Sequence, residues 1–251
     1  MTLAEALRVR PGDVVSFIGA GGKTAAMYRV AADLAAQGLK TIVTTTTRIF
    51  PPDGASIPLV LGATGGGDGA ARIAEVLGRA PTVAVAARTL AEGKLEGIPP
   101  EEVPVLRGVA GVAVVLVEAD GAARKPFKAP AGHEPVIPAA TTLVVAVVGA
   151  DALGRPLAED LVHRAALAAE QAGIRLGDLI TPEAVARVLL GPANLRGKPA
   201  GARLAGLITK ARTPALHDAA ERLARLLGDG GVSPVVLAEL VAEPGFIEPV
   251  G

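Results

Sequence analysis

Gly19-Ala20-Gly21-Gly22-Lys23-Thr24 follows directly on the apolar run Val14-Val15-Ser16-Phe17-Ile18. The order strand, glycine-rich turn, helix lets several backbone N–H groups converge on one point. The helix adds its positive N-terminal end and Lys23 adds a full charge, which is the chemistry of a phosphate site. Residues 19–25, with Ala25 opening the helix, are therefore the expected nucleotide-binding segment. The Thr24 hydroxyl, next to the lysine, is placed to ligate Mg²⁺. Against the pattern G-x-x-x-x-G-K-[ST], Gly22, Lys23 and Thr24 fall in register, but Phe17 stands at the first glycine. The additional glycines compensate in part, because they let the backbone approach a ligand closely. An ordinary βα turn with a chance lysine is the competing reading. The turn's place at the C-terminal end of a strand in an α/β unit favours phosphate.

A second segment, Val114-Val115-Leu116-Val117-Glu118-Ala119-Asp120-Gly121, is an apolar strand ending in acids. It places carboxylates at the sheet edge where open α/β folds bind ligands. Either Asp120 or Glu118 can hold Mg²⁺, with Asp120 the first choice, and the other can polarise an attacking water or hydroxyl. Lys23, Glu118 and Asp120 are the expected catalytic residues. In Thr44-Thr45-Thr46-Thr47-Arg48 side chains alternate, so only some hydroxyls can face a ligand. Thr46 is the expected metal-side threonine, and Thr45 and Arg48 are expected to face the γ-phosphate or substrate. β-Propensity is the competing explanation for this threonine cluster.

Residues 119–142 form a long aperiodic stretch rich in Pro and Gly, and such loops are commonly functional. Arg124, Lys128, His133 and Glu134 lie in it and are expected to face a second substrate or the γ-phosphate, a solvated basic loop being the alternative. One His beside one Glu is not by itself a metal motif. At a late strand end, Thr209-Lys210-Ala211-Arg212 stands where guanine readers carry Asn-Lys-x-Asp. The acid is missing, so guanine specificity has no support here. Lys210 can still lay its alkyl chain on a base.

Local patterning predicts strands at 14–18, 40–44, 57–61, 82–86, 112–117, 143–148, 204–209 and 235–238. Helices are predicted at 25–37 and 70–78, with residues 65–69 as a loop between strand and helix. Leu157, Leu161, Ala165 and Ala168 predict one further helix, with His163 inside it. Thr181-Pro182 and Thr213-Pro214 predict two more helix starts, with Thr as N-cap and Pro at the first position. Strands alternating with helices imply a three-layer α/β/α fold with a mostly parallel sheet. One domain spanning residues 1–251 is expected, with a helix-rich insertion or subdomain at about 152–200.

Half of the residues are hydrophobic, enough for a large core, but aromatics are only 2%, too few for a base-stacking surface on single-stranded nucleic acid. The formal net charge is zero, which gives no steering toward nucleic acid or an anionic membrane. The chain has no cysteine, which excludes disulfides, thiolate metal sites and a catalytic thiol on it. Residues 1–10 contain Glu5 and lack an apolar signal region, and no apolar run reaches the length of a membrane span. A cytoplasmic protein is expected.

The motifs together resemble the YqeC-type proteins. Residues 17–24, Val43-Thr44-Thr45-Thr46-Thr47, residues 117–121, Lys128-Ala129-Pro130, His133-Glu134-Pro135-Val136-Ile137-Pro138, Val148-Gly149-Ala150-Asp151-Ala152-Leu153-Gly154 and His163-Arg164 carry the resemblance. It implies a phosphate-loop NTPase-like fold in which the missing first glycine is a family trait. It also implies an accessory role in maturing a selenium-containing molybdenum hydroxylase or its cofactor. Thr209, Arg212 and Ala122 depart from the usual family pattern. Without cysteine, this chain cannot carry selenium as a perselenide on its own side chains. A hydroxylase or a selenium or cofactor carrier would be the partner, and a homodimer is compatible with the composition. The expected activity is that of an Mg²⁺-dependent NTPase or kinase using ATP ahead of GTP. A non-enzymatic, nucleotide-gated scaffold and a small-molecule kinase are the alternatives.

Overall fold

Apolar, β-branched runs too short for helices build the centre of this protein. The computed structural model describes residues 1–49, 51, 57–62, 67–240 and 245–250. In its main sheet the strands are β1 (Val14–Gly19), β2 (Thr41–Thr45), β3 (Leu59–Leu61), β4 (Thr82–Ala86), β5 (Val114–Glu118), β6 (Leu143–Gly149), β7 (Arg203–Thr209), β8 (Val235–Glu239) and β9 (Phe246–Val250). Their order across the sheet is β9-β8-β7-β6-β1-β5-β2-β4-β3. Every neighbouring pair is parallel except β8 with β9.

Both faces of the sheet are covered, which is why β1, β5 and β6 are buried along their whole length. Alternate residues serve opposite faces. Val147, Leu207 and Val236 pack with helix α1 (Leu3–Ala6) and with Met27, Val30 and Leu34 of α2 (Lys23–Ala36). Their neighbours Val148, Ile208 and Val235 face the other way. That second face carries α3 (Gly67–Leu77), α4 (Val103–Arg107) and, further along the chain, α5 (Ala165–Ala172), α6 (Pro182–Leu190) and α7 (Pro214–Asp229). The β1-to-β2 and β7-to-β8 connections run in opposite directions across the sheet. Right-handed crossovers then place α2 and α7 on opposite faces. The result is the expected three-layer α/β/α arrangement.

Several local expectations change in the structure. The helix predicted from Leu157 begins only at Ala165. Val162 and His163 instead pair in parallel with Phe127 and Lys128, so His163 lies on a short strand. Arg164, at φ +62°, interrupts the backbone before α5. Leu157 and Leu161 are buried, so their apolar spacing reflects core contacts and not a helical stripe. Asp68 and Gly69, read as loop, belong to the first turn of α3, while residues 65 and 66 lie outside the described residues. The antiparallel β9 and a small ladder joining residues 48–49, 88–89 and 95–96 had no counterpart in the patterning. The N-caps Thr181 and Thr213 form as predicted, accepting from Ala184 N and Leu216 N. Among the described residues, no helix is long and apolar enough to cross a membrane.

Candidate functional site

The turn after β1 is shaped first by packing. Gly19 and Gly21 have φ of +94° and +81°. A Cβ on Gly19 would lie 2.3 Å from the Val147 carbonyl oxygen, and one on Gly21 would lie 2.1 Å from the Gly149 nitrogen. These glycines let the turn press against the end of β6. At Gly22, φ +124°, the nearest atom to an added Cβ would be Thr209 Oγ1 at 3.8 Å, so this side of the turn is open.

The backbone donors divide along the same line. Gly19 N–H donates to Asp120 Oδ2 (2.9 Å), Ala20 N–H to Val147 O (2.9 Å) and Gly21 N–H to Lys125 O (3.0 Å). The N–H groups of Gly22, Lys23, Thr24 and Ala25 have no acceptor among the described residues, and Gly22 as N-cap offers no side chain. Gly22, Thr24 and Ala25 are half-buried, so the first turn of α2 presents its donors and the positive end of its dipole to the C-terminal edge of the sheet.

Around this turn runs a chain of alternating charges. Lys23 Nζ donates to Gly19 O (2.7 Å) and lies 3.1 Å from Asp120 Oδ1 and 3.9 Å from Glu118 Oε1. Thr24 Oγ1 donates to Glu118 Oε2 (2.7 Å). Lys128 Nζ donates to Asp120 Oδ2 (3.0 Å), Glu134 Oε2 (2.7 Å) and Gly121 O (2.6 Å). Arg164 closes the chain on Glu134 Oε2 (2.8 Å). Lys128 is 1% exposed and Asp120 is fully buried, so the basic loop is not solvated at this point. Burial pushes the Glu118 carboxyl up from the usual range, against the pull of Lys23 and the Thr24 hydroxyl. Burial would raise Glu134 too, but hydrogen bonds from Arg164 and Lys128 outweigh it and bring it down to about 2. His163 is lowered by burial and then by the charges of Arg164 and Lys128.

The remaining candidates spread outward. Thr45 Oγ1 and Thr46 N–H both donate to Glu118 O, at 2.9 and 3.1 Å, and Thr46 Oγ1 donates to Val136 O (2.7 Å). These threonines tie the end of β2 to β5 and to the long loop. Arg48 is exposed at the rim of a cavity of about 440 Å³ that Thr46, Thr47, Glu96, Gly97 and Pro99 also line. Arg124 is exposed with φ +60°, and the His133 side chain is 78% exposed. Lys210 pairs with Asp151 on the opposite flank of the turn. The roles of Arg164, Asp151 and Arg196 were not legible beforehand. Arg196 donates to the carbonyls of Ala131, Gly132 and Glu134 and so braces the loop. Their partners lie 30 to 65 residues away, and Asp151 meets Lys210 across 59.

Mg²⁺ suits part of this set. Thr24 and Glu118 bring two hard oxygens within 2.7 Å of one another. Both Asp120 oxygens already face lysines, and its Oδ1 has no hydrogen-bond donor in good geometry. Among the described residues, no three His, Asp or Glu side chains cluster as a metal site. Mg²⁺ does not require such a cluster, since one or two carboxylates with substrate phosphates and water suffice.

The family model for YqeC protein matches residues 15–166, from β1 through Arg164. That span contains every member of the charge chain. A relative from Escherichia coli (strain K12), described as the uncharacterized protein YqeC, is 33% identical over 178 residues. The match covers 66% of this chain and 66% of the relative, just under two thirds of the relative's length.

Proposed function

The chain belongs to the YqeC family, and on that basis we propose that it is an Mg²⁺-dependent nucleotide-binding accessory protein. The activity proposed is that of an NTPase or kinase, using ATP or GTP, in the maturation of a selenium-containing molybdenum hydroxylase or its cofactor. The observation that carries the nucleotide reading is the row of N–H groups on Gly22, Lys23, Thr24 and Ala25, left without acceptors beside a buried lysine. A terminal phosphate would occupy this row, and Lys23 would turn from Gly19 O to meet charge developing on the transferred group. Mg²⁺, held by Thr24 and Glu118 or Asp120, would neutralise phosphate charge. Where Asp120 holds the metal, Glu118 is the candidate base, its carboxyl raised by burial against the pull of Lys23 and the Thr24 hydroxyl. The cavity beside Thr46 and Arg48 would receive a second substrate.

A second reading, a nucleotide-gated scaffold that docks on a hydroxylase or carrier, draws on the same geometry. Lys23 is already satisfied by Gly19 and Asp120. A phosphate must pull it out of that arrangement, which would disturb Asp120 and, through Lys128 and Glu134, Arg164 at the edge of α5. Partner-dependent stimulation of turnover distinguishes gating from simple hydrolysis.

Calorimetric titration with Mg²⁺-ATP and Mg²⁺-GTP tests the shared premise. Saturable binding of at least one nucleotide is expected, weakened at least tenfold in Lys23→Ala. Failure of the wild-type protein to bind either one overturns both readings.

A further inference from the structure

We propose that the cavity beside Thr46 and Arg48 binds a small organic monocarboxylate, with Arg48 as its anchor. That this ligand is the second substrate rests on the nucleotide reading above; its chemical class is new. The cavity lies past the C-terminal ends of two neighbouring parallel strands, since Thr46, Thr47 and Arg48 follow β2 and Ala87 follows β4. This is the edge at which open α/β sheets bind ligands, and the phosphate turn lies on it past β1. A volume of about 440 Å³ is that of a small-molecule site. Its walls are joined through backbone. Gly97 N–H donates to Thr47 O (2.6 Å), Ile98 N–H to Thr45 O (2.9 Å) and Ala87 N–H to Glu96 O (3.0 Å). A Cβ on Gly97 would lie 2.5 Å from the Thr45 carbonyl oxygen, so the two segments meet only because this residue is glycine.

One wall carries a row of three charges. In the small ladder Glu96 stands opposite Arg48 on one side and opposite Arg88 on the other. Residues directly opposite share a face, and Ile49 and Leu95 take the buried one. Arg88 is hydrogen-bonded to Glu96 and neutralises it. Arg48 has no hydrogen bond or ion pair among the described residues and reaches Glu96 only through its field. The row therefore keeps one unmatched guanidinium at the cavity. A hydroxyl donor stands beside it. Thr45 spends its hydroxyl proton on Glu118 O, so Thr47 is the donor in the 3.3 Å contact between the two hydroxyls. A charged acceptor in the cavity would draw that proton away from a neutral oxygen.

The charge count selects the class of ligand. A carboxylate matches the planar guanidinium through two parallel N–H bonds and brings the single negative charge that the row lacks. A phosphate dianion would bring a second negative charge beside Glu96 with no cation left to meet it. Ala87, Pro99 and Pro100 line the cavity as well, and the prolines have no N–H to offer, so the body of the ligand meets a mostly apolar border. Only β5 separates β1 from β2, which sets the cavity about 10 Å from the phosphate turn across the sheet. A carboxylate anchored at Arg48 would thus extend its other end past Thr46, whose N–H donates to Glu118 O, toward the phosphate turn.

Ligand-observed NMR titration with lactate, hexanoate and benzoate, each beside its primary amide, tests this on wild type and Arg48→Ala without nucleotide. Wild type is expected to bind at least one of the carboxylates saturably and at least tenfold more tightly than the matching amide. Equimolar inorganic phosphate is expected not to displace it. Arg48→Ala is expected to lose at least tenfold in affinity at an unchanged Tm, since Arg48 is exposed. No carboxylate binding by wild type, equal binding of carboxylate and amide, displacement by equimolar phosphate, or undiminished binding by Arg48→Ala overturns the assignment. None of these outcomes depends on the phosphate turn. Carboxylate binding by a wild-type protein that takes up neither Mg²⁺-ATP nor Mg²⁺-GTP overturns the nucleotide reading and the second-substrate role, and leaves the carboxylate site standing.

Discussion

Gly21 lies so close to Gly149 that a methyl group on Gly21 would fall 2.1 Å from the Gly149 nitrogen. Two strand ends, β1 and β6, are thus joined backbone to backbone beneath the candidate site. The glycines of the turn have a structural duty that precedes any ligand, and the open donors lie just beyond them on α2.

Gly21→Ala is therefore expected to damage the fold and not only the site. The added methyl meets backbone that cannot rotate away, at a positive φ that already disfavours alanine. A loss on the order of 4 kcal/mol is expected, visible as a fall in Tm of roughly 10 °C. Gly38→Ala is the control: its φ is +76° but nothing lies within 4 Å of an added Cβ. It should lose only about 1 kcal/mol. Equal losses in thermal denaturation would remove the packing explanation.

Lys128→Ala should be among the most damaging charge deletions in the chain. Lys128 is buried and bonded to Asp120, Glu134 and the Gly121 carbonyl. Its removal leaves two buried carboxylates facing each other with fewer donors, which typically costs about 3–5 kcal/mol. Lys128→Met, which restores volume but not charge, should recover little of it. Denaturant unfolding measures both, and full recovery by methionine would show that packing and not charge is what Lys128 supplies.

Glu134 makes stability acid-sensitive. Its carboxyl is held at about 2 in the folded chain against an ordinary value of 4.5. A depressed carboxylate adds stability above its unfolded pKa and loses it as pH falls through the folded one. The contribution should be complete above about pH 4.5 and vanish toward pH 2. Glu134→Gln should be less stable at pH 6 by on the order of 2 kcal/mol. The difference from wild type should shrink steadily on acidification in this window. A difference independent of pH would mean that the carboxylate charge is not what Arg164 and Lys128 require.

The architecture was largely readable because its signals are local. The apolar runs at 82–86, 143–148 and 204–209 became β4, β6 and β7 within a residue at either end. Thr181-Pro182 and Thr213-Pro214 started helices because an N-cap acts within three residues of chain. The segment around Leu157 misled because burial, and not helical periodicity, accounts for its leucines. Pairing of Val162 with Phe127, 35 positions earlier, took the backbone that a helix would have used.

The succession of strand, glycine-rich turn and lysine-led helix is legible in the chain order, and so are the acids that close a buried strand, since both features are written in neighbouring residues. Which charges meet depends on the folded arrangement. Lys128 reaches Asp120, Arg164 reaches Glu134, and Asp151 reaches Lys210 because parallel strand ends gather on one edge of the sheet. The difference is one of range. Hydrogen-bonded turns and caps act over a few residues, whereas a buried charge takes its partner from whatever segment the sheet order brings beside it.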